Sequence, residues 1–294
     1  MENIVTSRNF IWLFLTVIAC SASSDQATPV VSFSGAEEVG IVENDLINEA
    51  SGLVHSIANN QMLWVHNDSG NDAELYLIDT AGRGLKAFTL GGITNRDWED
   101  IAIGPGPEDD VNYLYVAETG DNNAIFDLKY IYRFKEPSLN GPDTITGIET
   151  IKFRYEDGKR DAECLLVDPL TKDIYVISKR EENVGIYIAP YPQSTTDTLQ
   201  LNKVGSLPYN NIVAGDISTD GKEIILKTYD EVFYWLREPS LSIHQTLTSN
   251  PVPVKYNREP QGEAMGWDMA QRGFYTLSEE KGGIACKLYY YRKK

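Results

Sequence analysis

The chain has 294 residues, 42% of them apolar, a formal net charge of −17 and three cysteines. That length suffices for one large all-β domain of about 250 residues, and no shift of composition marks a second. So acidic a chain excludes nucleic acid as a partner, because a phosphate backbone needs a basic face; the plainest consequence of the charge is a soluble, unassociated protein, and a monomer is expected.

Residues 1–19 read as an export signal, with Arg8 in a short polar head and an apolar segment, 10–19, too short to span a bilayer comfortably. Val17-Ile18-Ala19-Cys20 resembles the bacterial lipobox, whose cysteine is lipidated and becomes the mature N-terminus. The resemblance implies export to a bacterial cell envelope, with a lipid on Cys20 as the only tie to a membrane; an ordinary cleaved secretory signal is the alternative. Residues 20–30 then form a polar tether and 31–294 a single domain.

From residue 31 onward, short alternating apolar runs broken by Gly, Pro, Asn and Asp predict strands, and no amphipathic helix interrupts them. A strand is expected over 31–33 and again over 39–42. Five runs headed by an acid follow: Glu49-Ala50-Ser51-Gly52-Leu53, Trp98-Glu99-Asp100-Ile101, Glu163-Cys164-Leu165-Leu166, Asp216-Ile217-Ser218 and Glu263-Ala264-Met265-Gly266. After each comes a second apolar run (62–66, 113–117, 174–178, 224–228, 274–277) and then a third (75–78, 130–134, 185–189, 232–236, 288–291). A period of roughly 50 residues with three or four short strands per unit predicts a β-propeller. Five units give five blades, with six as the alternative. The fifth unit stops after its third strand, so the N-terminal strand is expected to complete the last blade and remove the open edge.

In such a ring the acids Glu49, Glu99, Glu163, Asp216 and Glu263 head the innermost strands and converge on one end of an axial tunnel. Carboxylates gathered there repel by on the order of a few kcal/mol unless they protonate or share a cation. Calcium is the expected cation, since a wide carboxylate ring suits its large coordination sphere. Zinc is disfavoured by three histidines and no paired cysteine motif, and Cys164 and Cys286 are expected as buried free thiols. The loops between second and third strands, 66–72, 118–123, 178–182, 227–231 and 278–282, fall on the same face as the acids. There Asp68 and Asp121 are candidates to orient a water, and Arg180 and Lys227 to hold an anionic group. The alternative is structural: each acid accepts backbone N–H groups of a neighbouring blade and pins the units together.

Glu-Ala-Ser-Gly-Leu (49–53), Asn-Asp-Ser-Gly (67–70), Asp-Trp-Glu-Asp-Ile-Ala (97–102), Gly-Asp-Asn (120–122), Asp-Ala-Glu (161–163) and Gln-Gly-Glu-Ala (261–264) together resemble a widespread set of uncharacterised bacterial secreted β-propeller lipoproteins. More distantly, Ser51, Glu99, Glu163 and Glu263 at strand starts are similar to the calcium-activated nucleotidase (apyrase) family. That resemblance implies a five-bladed propeller with one calcium in its tunnel and adds Ser51 to the ligand set. Lys179-Arg180 falls where that family also places basic residues. Two functions follow as expectations: a calcium-dependent hydrolase of phosphoesters or phosphoanhydrides, or a non-catalytic module that presents its acidic face to an anionic small molecule, a glycan or a protein.

Overall fold

The strands follow the sequence units closely. A computed structural model describes Met1, residues 31–42 and residues 46–294; apart from Met1, the expected export signal (1–19), Cys20 and the tether (20–30) lie outside the described residues. Strand β1 (Glu37–Ile41) comes first. The first unit is β2 (Ala50–His55), β3 (Met62–Asn67), β4 (Glu74–Asp79) and β5 (Gly84–Leu90). The second is β6 (Trp98–Pro105), β7 (Asn112–Glu118), β8 (Lys129–Lys135), the two-residue β9 (Thr144–Ile145) and β10 (Glu149–Tyr155). The third is β11 (Ala162–Val167), β12 (Ile174–Ser178), β13 (Val184–Ala189) and β14 (Leu199–Leu207). The fourth is β15 (Ile212–Ile217), β16 (Glu223–Thr228), β17 (Val232–Leu236), the helix α1 (Ile243–Leu247) and β18 (Val252–Val254). The fifth is β19 (Ala264–Trp267), β20 (Gly273–Leu277) and β21 (Lys287–Arg292).

Residues 31–294 form one unit that is all-β apart from α1. Apart from β9, which pairs in parallel with β5 of the first unit, consecutive strands of each sequence unit are antiparallel neighbours, and four sheets result. The second and third units share an eight-stranded sheet because β10 and β14 pair in parallel over three residues, Phe153↔Leu199 to Tyr155↔Leu201. That sheet nearly closes on itself, since its end strands β6 and β11 pack together. The N-terminal strand pairs with the last one, Glu37↔Tyr290 and Ile41↔Lys287, so β21 is not left as an edge. Of the expected 31–33 strand only a bridge between Phe33 and Lys293 forms.

The first strand of each unit is buried along nearly its whole length. These inner strands pack in a cycle: β2 on β6, β6 on β11, β11 on β15, β15 on β19 and β19 on β2. With both faces covered, they lose the alternation of a half-solvated strand and read as continuous apolar runs. A separate core fills each gap of the cycle. Trp64, Trp98 and Phe134 lie between the first and second units, and Tyr115, Phe153 and Tyr187 between the second and third. Tyr175, Leu207 and Trp235 join the third to the fourth, Tyr234, Trp267 and Phe274 the fourth to the fifth, and Leu53, Val65 and Leu277 the fifth to the first. Burying a side chain such as Phe274 completely stabilises the fold by roughly 1.5–3 kcal/mol.

One local expectation fails. Where no helix was expected, α1 forms behind a capping box: Ser242 accepts from the Gln245 N–H while the Gln245 side chain accepts from the Ser242 N–H. Its Ile243 and Leu247 cover the third and fourth units' core. Cys164 and Cys286 are free and buried, as expected.

Candidate metal centre

The heads of four inner strands carry a β-bulge. Pairing slips between Ala50 and Gly52, between Trp98 and Asp100, between Ala162 and Cys164, and between Ile212 and Ala214. The extra residue in a bulge is left out of the ladder and its side chain is re-aimed. That residue is Ser51, Glu99, Glu163 and Val213 respectively, and Glu263, just ahead of Ala264, holds the same place before β19. The fold thus delivers three glutamates, a serine and a valine to corresponding positions.

Around these glutamates, three carboxylate triplets have oxygens within 4.8 Å of one another: Asp68 with Asp97 and Glu99, Asp68 with Glu263 and Glu279, and Glu99 with Asp161 and Glu163. Sharing Asp68 and Glu99, the triplets join into one belt of seven acids. Asp97 and Asp161, absent from the expected ligands, each stand two residues before a bulge glutamate, in Asp97-Trp98-Glu99 and Asp161-Ala162-Glu163. The repeated Asp-x-Glu was the signal, because residues two apart in extended chain face the same side. Glu279, also missed, comes from the loop after β20.

Lys179 lies in the gap of the belt where the fourth unit offers Val213. Its Nζ bonds Glu163, lies 3.7 Å from Glu263 and donates to the Tyr229 hydroxyl at 2.9 Å, while Tyr229 donates to Glu263. Burial alone would lower the Lys179 pKa, but Glu163 and Glu263 outweigh it and raise it. One buried ammonium does not balance seven acids. Burial first, and the neighbouring carboxylates second, push Glu99 well above the usual carboxylate range. Burial and then Glu263 raise Glu279 to about 8, and burial raises Asp68 to about 6. Glu163 is also raised by burial, and its Oε2 is buried with no hydrogen-bond partner among the described residues.

Gly120 keeps the belt open. A Cβ there would lie 2.1 Å from Glu99 Oε1 and 2.4 Å from Asp97 Cγ, so no other residue leaves these two carboxylates in place.

Of the expected ligands, Glu99, Glu163 and Glu263 come together and three do not. Glu49 is exposed and accepts from the Asn71 amide at 2.6 Å, outside the triplets. Ser51 spends its hydroxyl proton on the Glu99 carbonyl at 2.9 Å, linking the first unit to the second. Asp216 lies three residues past the bulge and accepts the N–H groups of Ile217 and, from the next unit, Trp267, both at 2.8 Å. Asp100 does the same with Ile101 and Leu165. For these two aspartates the pinning alternative is the correct one.

The expected catalytic set also separates. Asp68 belongs to the belt. Asp121 instead holds its own loop, accepting from the Ile125 and Phe126 N–H groups and pairing with Lys129 at 3.0 Å. Lys227 is fully buried, its Nζ donating to the carbonyls of Thr228 and Gly262, and cannot reach an anion in solvent. Burial lowers its pKa to about 8. Arg180 is half exposed and paired with Asp161 at 2.6 Å. No water-orienting and anion-holding pair is therefore assembled from Asp121, Arg180 and Lys227. No protein-family model matches the chain, and no curated protein matches it.

Proposed function

We propose that the chain is a five-bladed β-propeller that holds a calcium ion in its acidic belt and acts as a ligand-binding module. The cyclic packing of five inner strands, with one core per gap, supports the propeller reading. The belt fits the ion chemically: every donor is a hard carboxylate oxygen, and oxygens up to 4.8 Å apart are those a cation with metal–oxygen distances of about 2.4 Å touches on opposite sides. Asp68, Asp97, Glu99, Asp161, Glu163, Glu263 and Glu279 would offer the oxygens that hold it, with Lys179 fixing Glu163 and Glu263. The observation that carries the reading is the orphaned, buried Oε2 of Glu163 beside Glu99 and Asp161, an acceptor for which the described residues supply no donor.

A carboxylate-bound calcium with an open side binds oxygen-rich groups, so the ligand class is an anionic small molecule, a glycan or an acidic protein segment. Asp121 and Lys227 are engaged outside the belt and Arg180 is held by the belt's own Asp161, an arrangement that favours binding over hydrolysis. Export and a lipid anchor at Cys20 would place the module on a bacterial cell envelope as a monomer; among the described residues no helix is long and apolar enough to cross a membrane. The test is calcium titration of cation-stripped protein by calorimetry and melting, followed by nucleotides, phosphomonoesters and lactones as hydrolase substrates. Calcium binding without turnover is expected. Turnover abolished by Glu163→Gln would replace binding by catalysis, and melting indifferent to calcium would leave the belt a structural feature.

A further inference from the structure

At the far ends of strands β2 and β19 from the carboxylates, a cavity of about 640 Å3 opens between the first and fifth units. That volume lies within the range of sites for small organic ligands, roughly 300–1,000 Å3. Its walls are mixed: Met62 is apolar, and Tyr275 and Tyr290 present rings whose centroids are 4.8 Å apart.

Two features make the cavity more than a gap between turns. His55 lines it at 2% exposure, and neither ring nitrogen has a hydrogen-bond partner among the described residues. The Trp267 backbone and Asp268 are close enough to favour the protonated ring, yet burial prevails and lowers its pKa to about 4. Asp268 accepts from the Tyr290 hydroxyl and the Arg272 backbone N–H and makes no bond to the ring. A neutral imidazole keeps one donor and one acceptor, and leaving them unused in a buried site is unfavourable. The second feature is at the mouth, where Arg272 and Arg292 are exposed and neither guanidinium forms an ion pair with a carboxylate of the described residues. Glu37 and Asp268 line the same cavity, so its charge is balanced, in contrast to the chain's net −17, and the two guanidinium groups are what it offers to an anion.

We infer that this cavity binds a small amphipathic organic anion, its carboxylate or phosphate held by Arg272 and Arg292 and its aromatic or apolar body seated on Met62, Tyr275 and Tyr290 within reach of His55. Guanidinium forks match either anionic group in two-point hydrogen bonds, whereas a neutral analogue gains only the apolar contact. The site is independent of the acidic belt: it lies at the other ends of the strands and needs no cation.

The experiment uses the full chain with calcium present and with calcium removed, and titrates phenyl phosphate, benzoate and neutral benzyl alcohol by calorimetry and saturation-transfer NMR. One or both anions should bind with or without calcium, and benzyl alcohol about tenfold more weakly or not at all. The stronger of phenyl phosphate and benzoate identifies the anionic group. Replacing both arginines, Arg272→Gln with Arg292→Gln, should weaken the anion about tenfold or more, as loss of a charge-assisted pair does, and leave the calcium response intact. Ala270→Trp, an exposed wall position that leaves His55 untouched, should block binding by filling the mouth. Equal binding of benzyl alcohol and the anions, no effect of the arginine replacements, or loss of anion binding with calcium would each overturn the assignment.

Discussion

Gly120 and Asp216 are residues whose roles come from what surrounds them, and each gives a measurable outcome. A Cβ on Gly120 would overlap the carboxylates of both Glu99 and Asp97. Gly120→Ala leaves all the acids in the chain but forces flexible carboxylate ends aside. It should therefore cost the cation-free fold about 1 kcal/mol or less while reducing calcium affinity about tenfold or more, read by titration calorimetry; unchanged affinity would show that the belt is not where calcium binds. Asp216 is a pin between units whose pKa burial raises to about 7 despite its bonds from Trp267 and Ile217. A carboxyl that holds its proton more tightly folded than unfolded stabilises the fold most at low pH. That contribution is full below about 4, the unfolded value, and is lost as pH rises through about 7. The stability gap between wild type and Asp216→Asn should then narrow from pH 4 to pH 7.5 in denaturant melts. A gap that widens with pH would mean that Trp267 and Ile217 keep the group ionised.

At the scale of elements, the strands were legible and the bulges were not. Apolar runs that follow polar turns, Asn59-Asn60, Asp109-Asp110 and Asp230-Glu231, fix where a strand begins to within a residue or two, which is why the runs at 62–66, 113–117 and 232–236 lie within β3, β7 and β17. A bulge leaves no mark on the pattern, because it is a one-residue slip set by the neighbouring strand. The run Asp216-Ile217-Ser218 looked like another acid-headed start, yet the bulge sits at Val213, so the apparent fifth acid is a pin. Asp97 and Asp161 were legible in the repeated Asp-x-Glu, but without the bulges nothing singled them out from other acids near strand starts. Side chains at strand ends were equally unreadable: Lys179 and Lys227 both stand at the end of a unit's second strand, and only packing decides that one completes the belt and the other is buried under Gly262. The terminal strand makes the element-level prediction. A chain beginning at Leu46 lacks β1 and exposes β21, whose ladder from Tyr290 to Lys287 would be unpaired. It should melt at least about 5 °C lower than the chain from residue 31 and gain a concentration-dependent aggregate in light scattering, as bare edges do. A monomer of unchanged stability would show that the last sheet does not depend on that strand.

For the whole molecule the question is whether its charge of −17 is one electrostatic problem or two. Surface acids such as Glu37 and Asp143 repel one another through water, and salt relieves them because the Debye length falls from about 10 Å at 0.1 M to about 3 Å at 1 M. The belt is different, since Glu99, Glu163 and Glu263 are no more than 5% exposed and mobile ions do not enter between them. A cation that seats among them acts by mass action instead, adding about 2.7 kcal/mol at a hundredfold excess over its Kd, or roughly 5–10 °C for a domain of this size. Raising sodium chloride from about 0.1 to about 1 M should therefore give a small rise in Tm through the surface term. Millimolar calcium should add a larger rise that survives in the high salt. Glu99→Gln and Glu263→Gln should keep the salt increment and lose most of the calcium increment, because they alter the belt and leave the surface charge almost unchanged. If sodium chloride reproduces the calcium effect in full, or both variants retain it, the acids act only as a diffuse field and the cation has no seat among them.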